Sequence, residues 1–68
     1  KMGYKIREKR EEVGMSQTKL SERSGVSRGI IWALESDPKA VTTTKTLQKI
    51  AEALGTTIAD LFFEDDVQ

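Results

Sequence analysis

The 68-residue sequence has no cysteine, no histidine and one proline. Without cysteine there is no disulfide staple and no thiolate metal site, and a cytoplasmic location is expected. Without histidine there is no imidazole base and no histidine-ligated zinc. Gly-rich phosphate loops are missing too: Gly14, Gly25 and Gly55 each fall where a helix is expected to end. The carboxylates and lysines form no paired catalytic arrangement, so neither an enzyme, nor a cofactor, nor a small-molecule substrate is expected. Apolar runs are short. The longest, Ile30 to Leu34, has five residues, against roughly 20 for a bilayer span, so no membrane association is expected. The first residues, Lys1-Met2-Gly3, lead into charged sequence rather than an apolar signal segment.

Net charge is also lacking. Eleven Lys and Arg balance eleven Asp and Glu, whereas a nucleic-acid-binding domain usually carries a positive excess. The total conceals a division. Residues 1–49 hold all 11 basic residues and six acids, 11 − 6 = +5, and residues 50–68 hold five acids and no base, −5. A chain this short forms one domain, 1–68, burying roughly 60% of its unfolded surface.

Hydrophobic periodicity divides the chain into five short helical segments. The first runs from about Tyr4 to Val13, with Ile6, Arg10 and Val13 on one face and Gly14 at its end. The second starts at the N-cap Ser16 and ends at Gly25, with Leu20 inward. The third starts at the N-cap Ser27 and runs to about Glu35, with Ile31 and Leu34 inward. Only Gly25-Val26-Ser27 joins these two, and a three-residue turn with Gly sets a sharp angle between helices. A polar loop, Ser36 to Thr42, contains Pro38. A fourth helix, capped by Thr43 or Thr44, runs to Leu54 with Leu47, Ile50, Ala51 and Leu54 inward. A fifth, Ile58 to about Phe63, opens at a Thr57/Asp60 capping box. The expected core is Ile6, Val13, Leu20, Ile31, Leu34, Leu47, Ile50, Leu54, Ile58 and Leu61, closed by Phe62. The acidic tail, 64–68, reads as a solvated terminus.

Met15 to Glu35 reads Met-Ser-Gln-Thr-Lys-Leu-Ser-Glu-Arg-Ser-Gly-Val-Ser-Arg-Gly-Ile-Ile-Trp-Ala-Leu-Glu. It resembles the helix-turn-helix of the phage repressor and Cro family, the XRE-type regulators. Ser16-Gln17 opens the second helix, and Leu20, Gly25, Val26, Ser27, Ile31, Leu34 and Glu35 follow at the family's spacing. Ile6 and Arg10 match the family's first helix, Leu47 to Gly55 its fourth, and Ile58 to Phe62 its fifth. The resemblance implies an all-α, five-helix, lambda-repressor-like domain with its helix-turn-helix at about 16–35. It implies a sequence-specific transcriptional regulator, a repressor by expectation, that binds an inverted repeat of double-stranded DNA as a homodimer. Half-sites then lie about one helical turn apart. Phe62, Phe63 and the C-terminal segment are the dimer candidates.

By the same resemblance, Arg28, Gly29 and Ala33 occupy the base-reading positions, bordered by Trp32, and Arg10 pairs with Glu35. An arginine suits the first of these positions because its fork matches guanine O6 and N7. Ser16, Gln17 and Ser27 stand at helix N-termini, where free N–H groups suit phosphates; Gln17 is also expected to share the hydrogen-bonded base readout with Arg28, and Lys39, Thr42 and Thr43 are further phosphate donors. The chain departs from the family at Gly29, Ile30, Trp32 and Ala33, which are apolar or bare where polar readers are usual, and at Asp37, which would repel a phosphate. Ile30 and Trp32 can meet thymine methyls or sugars. They also support an alternative reading, a protein-interaction or antitoxin-like module that uses the same surface.

Overall fold

The computed structural model describes residues 4–62. Phe63 and the acidic tail 64–68 lie outside the described residues, as do residues 1–3. Four α-helices follow in order: α1 Ile6–Glu12, α2 Gln17–Ser24, α3 Arg28–Ser36 and α4 Thr44–Leu54. No strand occurs among the described residues, only one isolated antiparallel bridge, Tyr4 to Phe62. The expected fifth helix is corrected to a single 3-10 turn, Ala59–Leu61. Three residues cannot complete the α-helical hydrogen-bond pattern, and Phe62 already has extended backbone angles that return the chain to Tyr4.

Side-chain caps start three of the helices. Ser16 Oγ accepts from Lys19 N (3.0 Å), Ser27 Oγ from Ile30 N (3.2 Å) and Thr43 Oγ1 from Thr46 N (3.1 Å). Such a cap contributes about 1 kcal/mol. Thr43 is therefore the cap of α4, and Thr44 its first residue. At the turn between α2 and α3, Gly25 takes φ +76°, a left-handed geometry that a side chain would strain.

α2 packs on α3 and α4, and α1 packs on α3 and α4. Between them lie Ile6, Leu20, Val26, Ile31, Leu34, Leu47, Ile50, Ala51, Leu54 and Leu61, all buried. Val13 does not join them, contrary to the periodic expectation, and is 53% exposed. α1 ends at Glu12, and Gly14 then reverses the chain at φ +69°. Met15 N reaches back to Arg10 O (2.9 Å) and Gly14 N to Glu11 O (3.1 Å), the two bonds of a Schellman stop. This stop turns Met15 toward the core in place of Val13.

Phe62 is likewise corrected from a residue that closes the core to a half-exposed one. Its ring lies against Tyr4, centroids 5.6 Å apart, while Lys5 N donates to Leu61 O (2.6 Å). Ile58 is half-buried at the margin of the core.

The 3-10 turn is fixed by Asp60. Its carboxylate accepts from Thr56 Oγ1 (2.8 Å), and its amide donates to Thr57 Oγ1 (3.3 Å). The hydroxyl of Thr56, with help from Thr57, holds the Asp60 carboxyl below its ordinary titration range. A lowered folded pKa gives stability that is present above the unfolded value and lost as pH falls through the folded one. Melting temperature should therefore show an Asp60-dependent decline only below about pH 4. Thr56→Val should shrink that decline, as followed by thermal melts between pH 7 and pH 2.5.

Candidate nucleic-acid interface

The end of α3 is held by a polar cluster built on Glu35. Arg10 reaches it from α1 with two parallel bonds, Nε to Oε2 (2.8 Å) and Nη2 to Oε1 (3.0 Å). The third guanidinium nitrogen, Nη1, donates to the Met15 carbonyl (2.9 Å). Gln17 Nε2, from the first residue of α2, donates to Glu35 Oε1 (3.0 Å). The side chains of Arg10 and Glu35 are only 12% and 4% exposed. The Glu35 hydrogen bond raises the Arg10 pKa, against the opposing effect of burial, so the guanidinium stays charged throughout the working pH range. A carboxylate near a helix C-terminus opposes the helix dipole; here a full cation offsets it. No buried side-chain polar atom among the described residues lacks a partner.

α3 is thus gripped at its C-terminal end, and its first turn projects outward. Ser27, Arg28 and Gly29 are exposed, Trp32 is 61% exposed, and Ala33 is half-buried. On a 100° helical wheel Ile31 and Leu34 mark the inward direction, and Gly29, Trp32 and Ala33 fall on the opposite side. Arg28 and Ile30 flank them. Among the described residues Arg28 makes no ion pair, so its five donors are available to a ligand. Ser16 is exposed, but Gln17 is half-buried. Its amide nitrogen is committed to Glu35, which leaves Oε1 and its backbone N–H for other use.

Beyond α3 the loop holds itself. Asp37 Oδ1 accepts from Lys39 N (2.9 Å), and Ala40 N donates to Asp37 O (3.0 Å). The Asp37 carboxylate is thus employed by its own turn. Lys39 and Thr43 are exposed; Thr43 Oγ1 is occupied by its cap and by the Thr46 hydroxyl (3.1 Å). Thr42 is half-buried.

Two members of the Glu35 cluster escape the sequence reading. Met15 takes part through its carbonyl, for which side-chain identity carries no signal. Gln17 joins because a carboxylate has more acceptor sites than one arginine fills, and α2 happens to start beside it.

Gly29 has ordinary helical angles, and a Cβ built there meets nothing closer than Ser27 Oγ at 4.0 Å. Gly29→Ala should therefore stabilise the free protein by about 0.5–1 kcal/mol, through restored helix propensity. A urea titration showing an unchanged or lower midpoint would contradict this reading of the site.

The arrangement is two helices at a tight glycine turn, the second anchored behind and exposed in front. A helix of this size fits a major groove. No helix of the described residues is long and apolar enough to cross a membrane, and no three of their His, Cys, Asp or Glu residues gather as metal ligands. Among curated proteins none matches the chain significantly. The helix-turn-helix family profile, however, matches residues 6–61, from the first residue of α1 to the last of the 3-10 turn. That family comprises DNA-binding domains rather than enzymes. The chain belongs to the XRE/lambda-repressor-type helix-turn-helix family of DNA-binding regulators.

Proposed function

We propose that this protein is a sequence-specific repressor that binds an inverted-repeat operator as a homodimer, with α3 lying in the major groove. The observation that carries this reading is the posture of α3: Glu35 is clamped to α1 and α2, while Ser27, Arg28 and Gly29 stand free at the opposite end. In this reading Arg28 reads a guanine, and Gly29, Trp32 and Ala33 border the neighbouring base edges. The free amides behind the Ser16, Ser27 and Thr43 caps receive phosphates, together with Lys39. Half-exposed Phe62, paired with Tyr4 where the first and last described residues meet, is the described residue best placed for a dimer contact.

A second reading rests on the exposure of Ile30 and Trp32, 44% and 61%: an apolar surface of this kind also suits a polypeptide partner. The net +5 of residues 1–49, which contain the whole helix-turn-helix, favours DNA. Selection of bound duplex from a random pool, followed by titration at several salt concentrations, separates the two. A DNA binder should lose affinity with a log–log slope of about −0.9 per neutralised phosphate. Failure to enrich any sequence at low salt would overturn the DNA reading in favour of the protein interface.

A further inference from the structure

The core accounts for Ile31 and Leu34 of α3, which are 0% and 3% exposed. It does not account for Ile30 and Trp32, 44% and 61% exposed on the same helix. Between them the exposed face has Gly29, without a side chain, and Ala33, with one methyl. Over its first two turns such a face is poor in hydrogen-bonding groups: after Arg28 it offers only the indole N–H, and the next, the exposed Ser36 hydroxyl, stands at the far end of α3. The donor and acceptor pattern of a base edge is therefore largely invisible to it. One apolar group does lie on a base edge in the major groove, the 5-methyl of thymine.

Charge bears on the occupant. Arg28 adjoins this face without an ion pair among the described residues, and the segment that contains it carries the +5 excess. An anionic duplex edged with methyl groups complements both features together. Resting on the DNA-binding reading above, we propose that Ile30, Trp32 and Ala33 recognise thymine 5-methyl groups. Arg28 is then the single guanine reader, and Gly29 is kept bare so that the helix backbone can approach the groove.

The spacing of the operator follows. From Arg28 to Trp32 is four residues, a rise of about 6 Å at about 1.5 Å each. Successive base pairs are about 3.4 Å apart. With α3 along the groove, the methyl-bearing positions fall within about two base pairs of the guanine. Each half-site is then one guanine beside a short thymine run.

The test uses the operator selected from a random pool, with deoxyuridine replacing thymine one position at a time. This removes only the methyl group and leaves the base pairing intact. Each contacted thymine should cost about four-fold in affinity, the equivalent of one buried methyl. In Trp32→Ala the deoxyuridine penalty should vanish at the thymine that Trp32 meets, while the penalties owed to Ile30 and Ala33 and the guanine preference persist. Trp32 lies outside the core, and an unchanged melting temperature verifies that the variant folds. Gly29→Ala, which the free protein has room for, should weaken binding to the same operator several-fold. If the operator binds equally well with deoxyuridine at every position, thymine recognition is overturned and the DNA-binding reading stands. If no duplex binds at all, both fall.

Discussion

Glu35→Ala is expected to unfold much of the protein at room temperature. Removing one partner of a buried ion pair costs about 3–5 kcal/mol, because the other charge stays buried and uncompensated. Here the stranded group is Arg10, whose side chain is 12% exposed and would keep only the Met15 carbonyl, while Gln17 would lose its acceptor. A domain of this size has total stability of the same order. Urea titration followed by circular dichroism should show the transition moved to very low denaturant or abolished. Replacing both partners, Arg10→Met with Glu35→Leu, should recover a large part of the loss, since an apolar pair of similar volume can fill such a site. Recovery stays incomplete because the Met15 carbonyl loses its donor. A Glu35→Ala unfolding free energy within about 1 kcal/mol of wild type would mean that the cluster is ornamental.

Arg28→Ala is expected to leave the fold alone and to damage recognition. The residue is exposed at the first position of α3, and Ser27 rather than Arg28 supplies the cap. In the proposed readout it supplies the bidentate contact to guanine, about 1–3 kcal/mol of base discrimination. Binding should weaken between about five-fold and 150-fold on the guanine-containing operator, with little change on duplexes that carry another base there. A uniform loss across all sequences would make Arg28 a phosphate contact instead. No loss at all would remove it from the interface.

The elements and most of the core were legible because they rest on local chemistry. Ser16, Ser27 and Thr43 cap helices, Gly25 turns the chain, and Ile31 and Leu34 repeat at helical spacing. What escaped depends on how segments meet. Val13 fits the periodicity of α1, but the reversal at Gly14 comes one residue too early for it to be buried. Phe62 looks like a core residue by type, yet the bridge to Tyr4 draws it to the edge, where it is 43% exposed. A 3-10 turn and an α-helix share the same capping signal at Thr57 and Asp60, and only length separates them. At the candidate site, the resemblance pointed to Arg10 and Glu35, but nothing in residue spacing places the Gln17 amide on the same carboxylate.

That shared carboxylate has a consequence for the thermodynamics of recognition. A ligand meeting a loosely held helix must order it, and the entropy of that ordering is subtracted from the affinity. In this chain α3 is immobilised during folding by contacts at the end opposite its exposed first turn, so little ordering is left for the encounter with a duplex. The heat capacity change on binding should then track the contact surface alone, without the larger signature of coupled folding.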